Sequence, residues 1–486
     1  MGADFMGDDA VTQVSLGWLD GGLIIGYLLL LVFLSWRSAR SGPADGISGD
    51  EHFLLSGRRL TLPAFVATLV STWYGGILGV GEFSYLYGIS QWVVMGLPYY
   101  VFAVLFAVFF AGKIRENPAI SIPESVGAVY GTRASKLSAG LIFMLVNPAP
   151  YLLMTAVLAS FMLGVDGWYI VVGVAVFSAL YVSWGGFGAV VRTDMLQVVL
   201  MYGGFIVLLI FAWQYAGNPA GIWNQLPDTH RQPTGGQPVS YLLVWFFIAL
   251  WTFVDPGFHQ RSSAAKSPKT ARNGILVSIL CWFVFDMLTL LTALYGVVIL
   301  AGMSDAVLIY PALAAHLLPA GLLGLFMLTL LATVMSTLDS FLFLAGQTLG
   351  RDMVTPPSGA SAVRYTRAGI AAATLLALIL VWLFPSVIDL WYVIGSVIIP
   401  GLLLPVAGVY YAGFRVSSAE ILTLLGVPVL VSLGWLVGGM MAGGDAAGYA
   451  LLGLEPFYPG LAVSLVLFGY FKLRAGTSWP RATGNR

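Results

Sequence analysis

Two stretches decide the reading: LVSTWYGGILGVGEF at residues 69–83 and ALWTFVDPGFHQR at residues 249–261. Each lies inside a long apolar run, and each carries residues that interrupt a helix. The first has Gly75, Gly76, Gly79 and Gly81; the second has Asp255, Pro256 and Gly257. Inside a bilayer every backbone polar group needs a partner, so a broken helix is tolerated only beside protein or a watery cavity. Paired interruptions in corresponding places point to a transporter's central binding site. Close helix packing also uses glycine in membranes, but a carboxylate next to a helix breaker is not a packing device.

The surrounding composition agrees. Of 486 residues, 59% are apolar and 9% charged, against about 25% charged in soluble domains. The chain must therefore sit in lipid. Net charge is zero, so nothing favours nucleic acid. Cys281 is the single cysteine, and the four histidines are scattered, so neither a disulfide nor a zinc motif is expected. The acidic start MGADFMGDDA argues against a cleaved signal peptide and predicts a short, mobile, polar N-terminus.

Apolar runs long enough to span fall at 17–36, 61–85, 91–112, 137–163, 168–184, 190–216, 240–260, 274–302, 320–349, 365–384, 387–412, 419–441 and 455–473. With the N-terminus outside, thirteen crossings put 21 of the 22 Lys and Arg residues on the inner side, Arg261, Arg481 and Arg486 included; only Arg231 falls outside. This is the positive-inside pattern. The longest outer loop is polar, 217–239. Four spans follow each broken one, which divides the chain into a peripheral first helix with its basic loop (1–60), one five-helix repeat (61–216), a second in inverted orientation (240–412), and two further helices (413–486).

Within 320–349, Thr333, Ser336, Thr337 and Ser340 fall at i, i+3, i+4 and i+7, on one helical face beside Asp339. Hydroxyls with carbonyls freed by a broken helix suit sodium; the competing fate is back-bonding to the preceding turn. Acids within spans are costly and default to functional hypotheses: Asp255, Asp286 and Asp339 qualify, and Asp194 sits near the inner start of its span.

At these residues the chain resembles the sodium:solute symporter family. EHFLLSGR (51–58), YVSWGGFGAVVRTDMLQ (181–197), HQRSSAAKSPKTARNGI (259–275) and ATVMSTLDS (332–340) carry the likeness. It implies an all-α polytopic membrane protein with about thirteen transmembrane helices, in a leucine-transporter-type 5+5 inverted repeat with one extra N-terminal and two extra C-terminal helices. It also implies a sodium site built from the hydroxyls of Ser336 and Thr337 and the carbonyls of Leu69, Thr72 and Thr333. A second cation or proton site would fall at Asp194, Asp339 and Ser340, where Asp339 replaces the hydroxyl the family carries. The substrate is expected between the broken helices, near Trp73, Tyr74, Gly76, Asn147, Tyr151, Trp251, Thr252 and Asp255. Trp282 stands where the sugar-transporting branch has a binding lysine, which argues against sugar bound in that manner. Aromatic faces near carboxylates suit a zwitterionic or cationic small organic solute.

The expected activity is sodium-coupled import by alternating access in the bacterial inner membrane, with sodium as the only cofactor and no catalysis. The alternatives are a proton-coupled or facilitative carrier of the same fold, with Asp339 or Asp194 protonating, and a transporter-like sensor.

Overall fold

The computed structural model describes residues 14, 16–40, 48–165, 167–354, 361–383, 387–443 and 450–478. The predicted mobile N-terminus, Arg481 and Arg486 lie outside them. The described chain is a multi-pass helical membrane protein, and eleven of its helices are long and apolar enough to cross a bilayer. They are α1 (Trp18–Arg40), α2 (Leu62–Tyr87), α3 (Trp92–Phe109), α4 (Thr132–Leu163), α5 (Trp168–Ala216), α6 (Val239–Ala264), α7 (Pro268–Ile299), α8 (Leu322–Met353), α9 (Ala362–Leu383), α10 (Leu390–Tyr410) and α11 (Glu420–Ala442). A further helix, α12, covers Phe457–Ser478.

Two runs read as separate spans, 168–184 and 190–216, are continuous in α5. Its 49 residues would reach about 74 Å if straight, far beyond a hydrocarbon core of about 30 Å. The helix instead turns at Gly186, with φ 62° and ψ −167°. That conformation is essentially confined to glycine, and a Cβ there would lie 2.6 Å from the Phe53 ring. A short apolar helix, Ala306–Leu317, precedes α8. The outer segment 217–239, read as an open loop, holds a helix at Pro219–Gln225 and a turn at Asp228–Arg231. Within that turn His230 Nε2 lies 2.7 Å from the Tyr85 carbonyl.

Helix α8 is the central pole. Every residue from Phe326 to Thr348 is buried, as expected of a helix apolar nearly all round. Its start is capped by α1: Asp20 Oδ1 accepts from the backbone N–H groups of Gly321 (2.7 Å) and Gly324 (2.8 Å).

Both predicted interruptions are present, and both are mild. α2 is α-helical over Leu62–Trp73, tightens to a 3₁₀ turn at Tyr74–Gly76, and resumes at Ile77–Tyr87. α6 runs Val239–Ile248, then a 3₁₀ stretch Ala249–Phe253, then a new helix Pro256–Ala264 capped by Asp255, whose Oδ1 accepts from Phe258 N–H at 2.9 Å. The lower ends of α2 and α6 are joined through the backbone, Leu60 N–H to Ala264 O (3.0 Å) and Lys266 N–H to Leu60 O (2.9 Å).

Candidate ion and substrate sites

The two interruptions face one cavity of about 150 Å³, the size of a void that holds a benzene-sized guest. Trp73, Gly76, Tyr151, Trp251, Thr252 and Asp255 line it, as expected from the sequence, and so do Leu69 and Thr72. Its walls are aromatic. Trp73 packs edge-on to Tyr99 with ring centroids 4.6 Å apart, and Tyr151 contacts both Phe341 (4.7 Å) and Trp391 (6.1 Å). The Trp391 ring closes over the break in α2 because residue 76 is glycine: a Cβ there would lie 2.3 Å from the indole. Among the described residues Asp255 is the only carboxylate on the wall. Thr252 Oγ1 and Trp245 Nε1, from two residues that also line the cavity, are buried without a hydrogen-bond partner among the described residues. Unmet buried polar groups are costly, and a bound solute would satisfy them.

Two expected substrate contacts are not on this wall. The Tyr74 hydroxyl points away, lying 2.8 Å from both Asp286 Oδ1 and the Trp282 carbonyl. Tyr100 donates to the other Asp286 oxygen. Asn147 is buried, and its Oδ1 caps Ala149 N–H at 2.9 Å. Conversely, Tyr99, Trp245, Trp391 and Arg261 line the cavity without having been singled out. In a chain that is 14% aromatic, no local pattern distinguishes these rings from packing.

Behind the cavity, oxygen groups of α2, α5 and α8 converge. Thr337 Oγ1 donates to the Thr72 carbonyl at 2.6 Å, and Gly75 permits this contact, since a Cβ there would lie 2.1 Å from Thr337 Oγ1 and Cβ. Ser336 donates to Asp194 Oδ1 at 2.6 Å, and its Oγ lies 2.9 Å from Ser71 Oγ. The single Ser336 proton goes to the carboxylate, so Ser71 is the donor to Ser336. The cluster is entirely oxygen and almost completely buried, the donor type a hard cation selects. No group of three or more His, Cys, Asp or Glu side chains suited to a metal occurs among the described residues. The side chain of Thr333 back-bonds to Thr329 O at 2.7 Å.

The expected second site is divided. Asp194 and Ser340 do face one region. Asp339 does not join them: it accepts from Tyr181 on α5, and its Oδ2 has no partner among the described residues. Adjacent helical residues point about 100° apart, and here Ser340 faces Arg261 while Asp339 faces Tyr181. Arg261, counted with the inner basic loops, is instead fully buried at the floor of the cavity.

A polytopic helical bundle with paired helix breaks around a midchain cavity defines a secondary transporter fold. The chain belongs to the sodium:solute symporter family, whose model matches residues 53–388. It is 28% identical over 203 residues to the human high affinity choline transporter 1, covering 39% of this chain and 34% of that protein. It is 24% identical over 375 residues to the mouse sodium/myo-inositol cotransporter 2, covering 65% of this chain and 54% of that one. The chain thus spans less than two thirds of either relative. Both are transporters rather than enzymes. Among solved structures, a Na⁺-coupled sialic acid symporter in a substrate-bound outward-open state matches with TM-score 0.78 at 16% identity, over 96% of this chain and 99% of that one. The inward-facing transporter Mhp1 matches with TM-score 0.55 at 13% identity, over 86% and 91%. At such identities the likeness is one of fold.

Proposed function

We propose that this protein is a sodium-coupled symporter that imports a small organic cation, or a zwitterion led by its cationic end. The observation that carries this reading is that Thr72 belongs to both sites: it lines the solute cavity, and its carbonyl accepts from Thr337 beside Ser336. Sodium held by the Ser336 and Thr337 hydroxyls with the Leu69, Thr72 and Thr333 carbonyls fixes the α2 break against α8. That break presents Trp73 and Gly76 to the solute. Each ligand therefore favours the other, and the coupling is reciprocal. Rings around the cavity favour a cation through cation–π attraction, with Asp255 as the negative group on a wall that also carries Arg261; the human relative named above is a choline transporter. The membrane potential contributes about 2.3 kcal/mol per charge per 100 mV, so sodium with a cationic solute draws on it twice per cycle.

The same proposal has thirteen crossings, obtained by dividing α5 at Gly186 and counting α12, arranged as inverted repeats over 61–216 and 240–412. The N-terminus is outside and the C-terminus cytoplasmic in a bacterial inner membrane. Contacts support the division of the loops between two faces. Arg58 bonds the carbonyls of Asn117 (3.1 Å) and Pro118 (2.6 Å), Arg115 bonds Ala265 O, and Lys136 bonds Asp352 O, gathering the predicted inner loops on one face. Tyr85 with Leu300, and Tyr295 with Gly217, gather predicted outer ones.

Sodium titration of the purified protein, followed by tryptophan fluorescence against a potassium control and then by solute uptake into proteoliposomes, tests the reading. A saturable sodium response, weakened together with sodium-driven uptake in Ser336→Ala, is expected. Sodium dependence unchanged in that variant would refute the ion site. The partnerless Asp339 oxygen favours a second reading, a proton-coupled carrier. Uptake that follows a pH gradient at fixed sodium and is lost in Asp339→Asn would move it to first place.

A further inference from the structure

A second cavity, of about 470 Å³, lies away from the solute and ion sites. It opens where the end of α1, the short helix Gly49–Leu55, the start of α2, the turn of α5 and the start of α9 meet. Its volume falls within the range of small-molecule sites, about 300–1,000 Å³. Arg59, Arg192 and Arg367 line it together with His52, and among the described residues no Asp or Glu does. Arginine stays protonated in proteins, so three fixed positive charges share one void.

The neighbouring carboxylates are engaged elsewhere. Glu51 pairs with Arg58 at 2.9 Å, and Asp50 Oδ2 lies 3.4 Å from the Ala362 N–H. Arg59 and Arg192 have neither a hydrogen bond nor an ion pair among the described residues. Arg367 spends only its Nε, on the Ser183 carbonyl at 2.8 Å, which leaves the outer edge of its fork free. The Ser56 hydroxyl also lines the void, buried and without a partner among the described residues. Gly188 keeps that wall bare, since a Cβ there would lie 3.3 Å from Ser56 Oγ. Several guanidinium forks and one unspent hydroxyl proton are donors without an acceptor, and phosphate oxygens match them in charge and geometry. Trp184 lines the same cavity while 44% exposed on α5. Indoles of this kind gather at membrane interfaces, and basic pockets between membrane helices take lipid head groups. The indole at the rim favours a phosphate carried by a lipid over one in solution.

We infer that this cavity binds the phosphodiester of an anionic phospholipid. Arg59, Arg192 and Arg367 hold its charge, and the Ser56 hydroxyl donates to one of its oxygens. The bound head group ties the entry of α2 to the turn of α5 and to α9. The inference does not depend on which ion drives transport.

Native mass spectrometry of the delipidated full-length chain, titrated in detergent with phosphatidylglycerol, phosphatidylcholine or inorganic phosphate at constant ionic strength, tests it. Phosphatidylglycerol should saturate near one lipid per chain, and phosphatidylcholine should bind more weakly. The double variant Arg59→Gln/Arg192→Gln should weaken phosphatidylglycerol about 30-fold, from two arginines at a lipid head group. Arg133→Gln, at an exposed position outside the cavity, should not. Neither Arg59 nor Arg192 bonds another described residue, so the double variant should keep the wild-type melting temperature without lipid; if it does not fold, Arg192→Gln alone is compared with wild type. Equal phosphatidylglycerol affinity in wild type and the variant overturns the inference. So does equal binding of the two lipids. Saturable binding of inorganic phosphate, lost in the variant, with no preference for phosphatidylglycerol, would make the occupant a free anion and overturn the lipid assignment.

Discussion

Replacing Gly75 by alanine should separate the two walls of the ion site. The new methyl would lie 2.1 Å from Thr337 Oγ1 and Cβ, whereas ordinary contact begins near 3.4 Å. The 3₁₀ turn and α8 must then part by about 1.3 Å, several times the spread of about 0.3 Å that calcium, a laxer ion than most, tolerates in its oxygen distances. Thr337 would leave the ligand shell. A hydrogen-bond-like contact to a charged group is worth about 1.5–3 kcal/mol, which weakens sodium about 10- to 150-fold. Overpacking adds a stability cost of about 1–3 kcal/mol. Thermal unfolding with and without sodium separates the two effects. At a concentration one hundred times the wild-type dissociation constant, sodium should stabilise wild type by about 2.7 kcal/mol and the variant by about 0.3–1.4 kcal/mol. Gly140→Ala in α4 is the control, since a Cβ there meets nothing within 4 Å. An undiminished sodium increment in Gly75→Ala would mean that the contact between the α2 break and Thr337 does not define the ion site.

Two further substitutions test the frame. Gly186→Ala combines a glycine-only backbone conformation with an approach of 2.6 Å to Phe53; strain of this kind costs about 1–3 kcal/mol before the clash is added. The variant should give little monodisperse protein on detergent extraction, and normal yield and melting temperature would show that the turn in α5 is not set there. Asp20→Ala removes the cap from α8 and should lower stability by about 0.5–2 kcal/mol, seen as a lower melting temperature. Asp20→Asn, which keeps an acceptor, should recover most of it; equal losses in both would refute the capping role.

The helix breaks and the hydroxyl row were legible because each is a local statement. Glycine and Asp-Pro-Gly act on their own backbone, and a 3.6-residue period places Ser336 and Ser340 on one face without help from the rest of the chain. What was not legible depends on partners distant in sequence. Asp339 is next to Ser340 in the chain, but the helix turns it to Tyr181, 158 residues away. Arg261 reads as one more cation in a basic loop until α2 and α8 close around it and Asp194, 67 positions upstream, gives it a reason to be buried. Asn147 is polar in an apolar span, a signal shared by ligands and by caps; the Pro148 that follows it tips it to the latter. The aromatic wall was half visible: Trp73 and Trp251 flank the breaks, whereas Tyr99 and Trp391 arrive from helices with no motif of their own.

Three successive residues of α2 look in three directions. Trp73 faces the solute, Tyr74 is clasped by Asp286 and Trp282 on α7, and Gly75 rests against Thr337. Such an arrangement resists piecemeal adaptation. A lineage under selection for a new solute cannot readily alter position 73 without disturbing the residue that seats the ion or the one that anchors the turn. Variation in specificity should therefore accumulate on the parts of the wall contributed by other helices, at positions such as Tyr99, Trp251 and Trp391, while the stretch Trp73–Gly75 changes rarely and as a block.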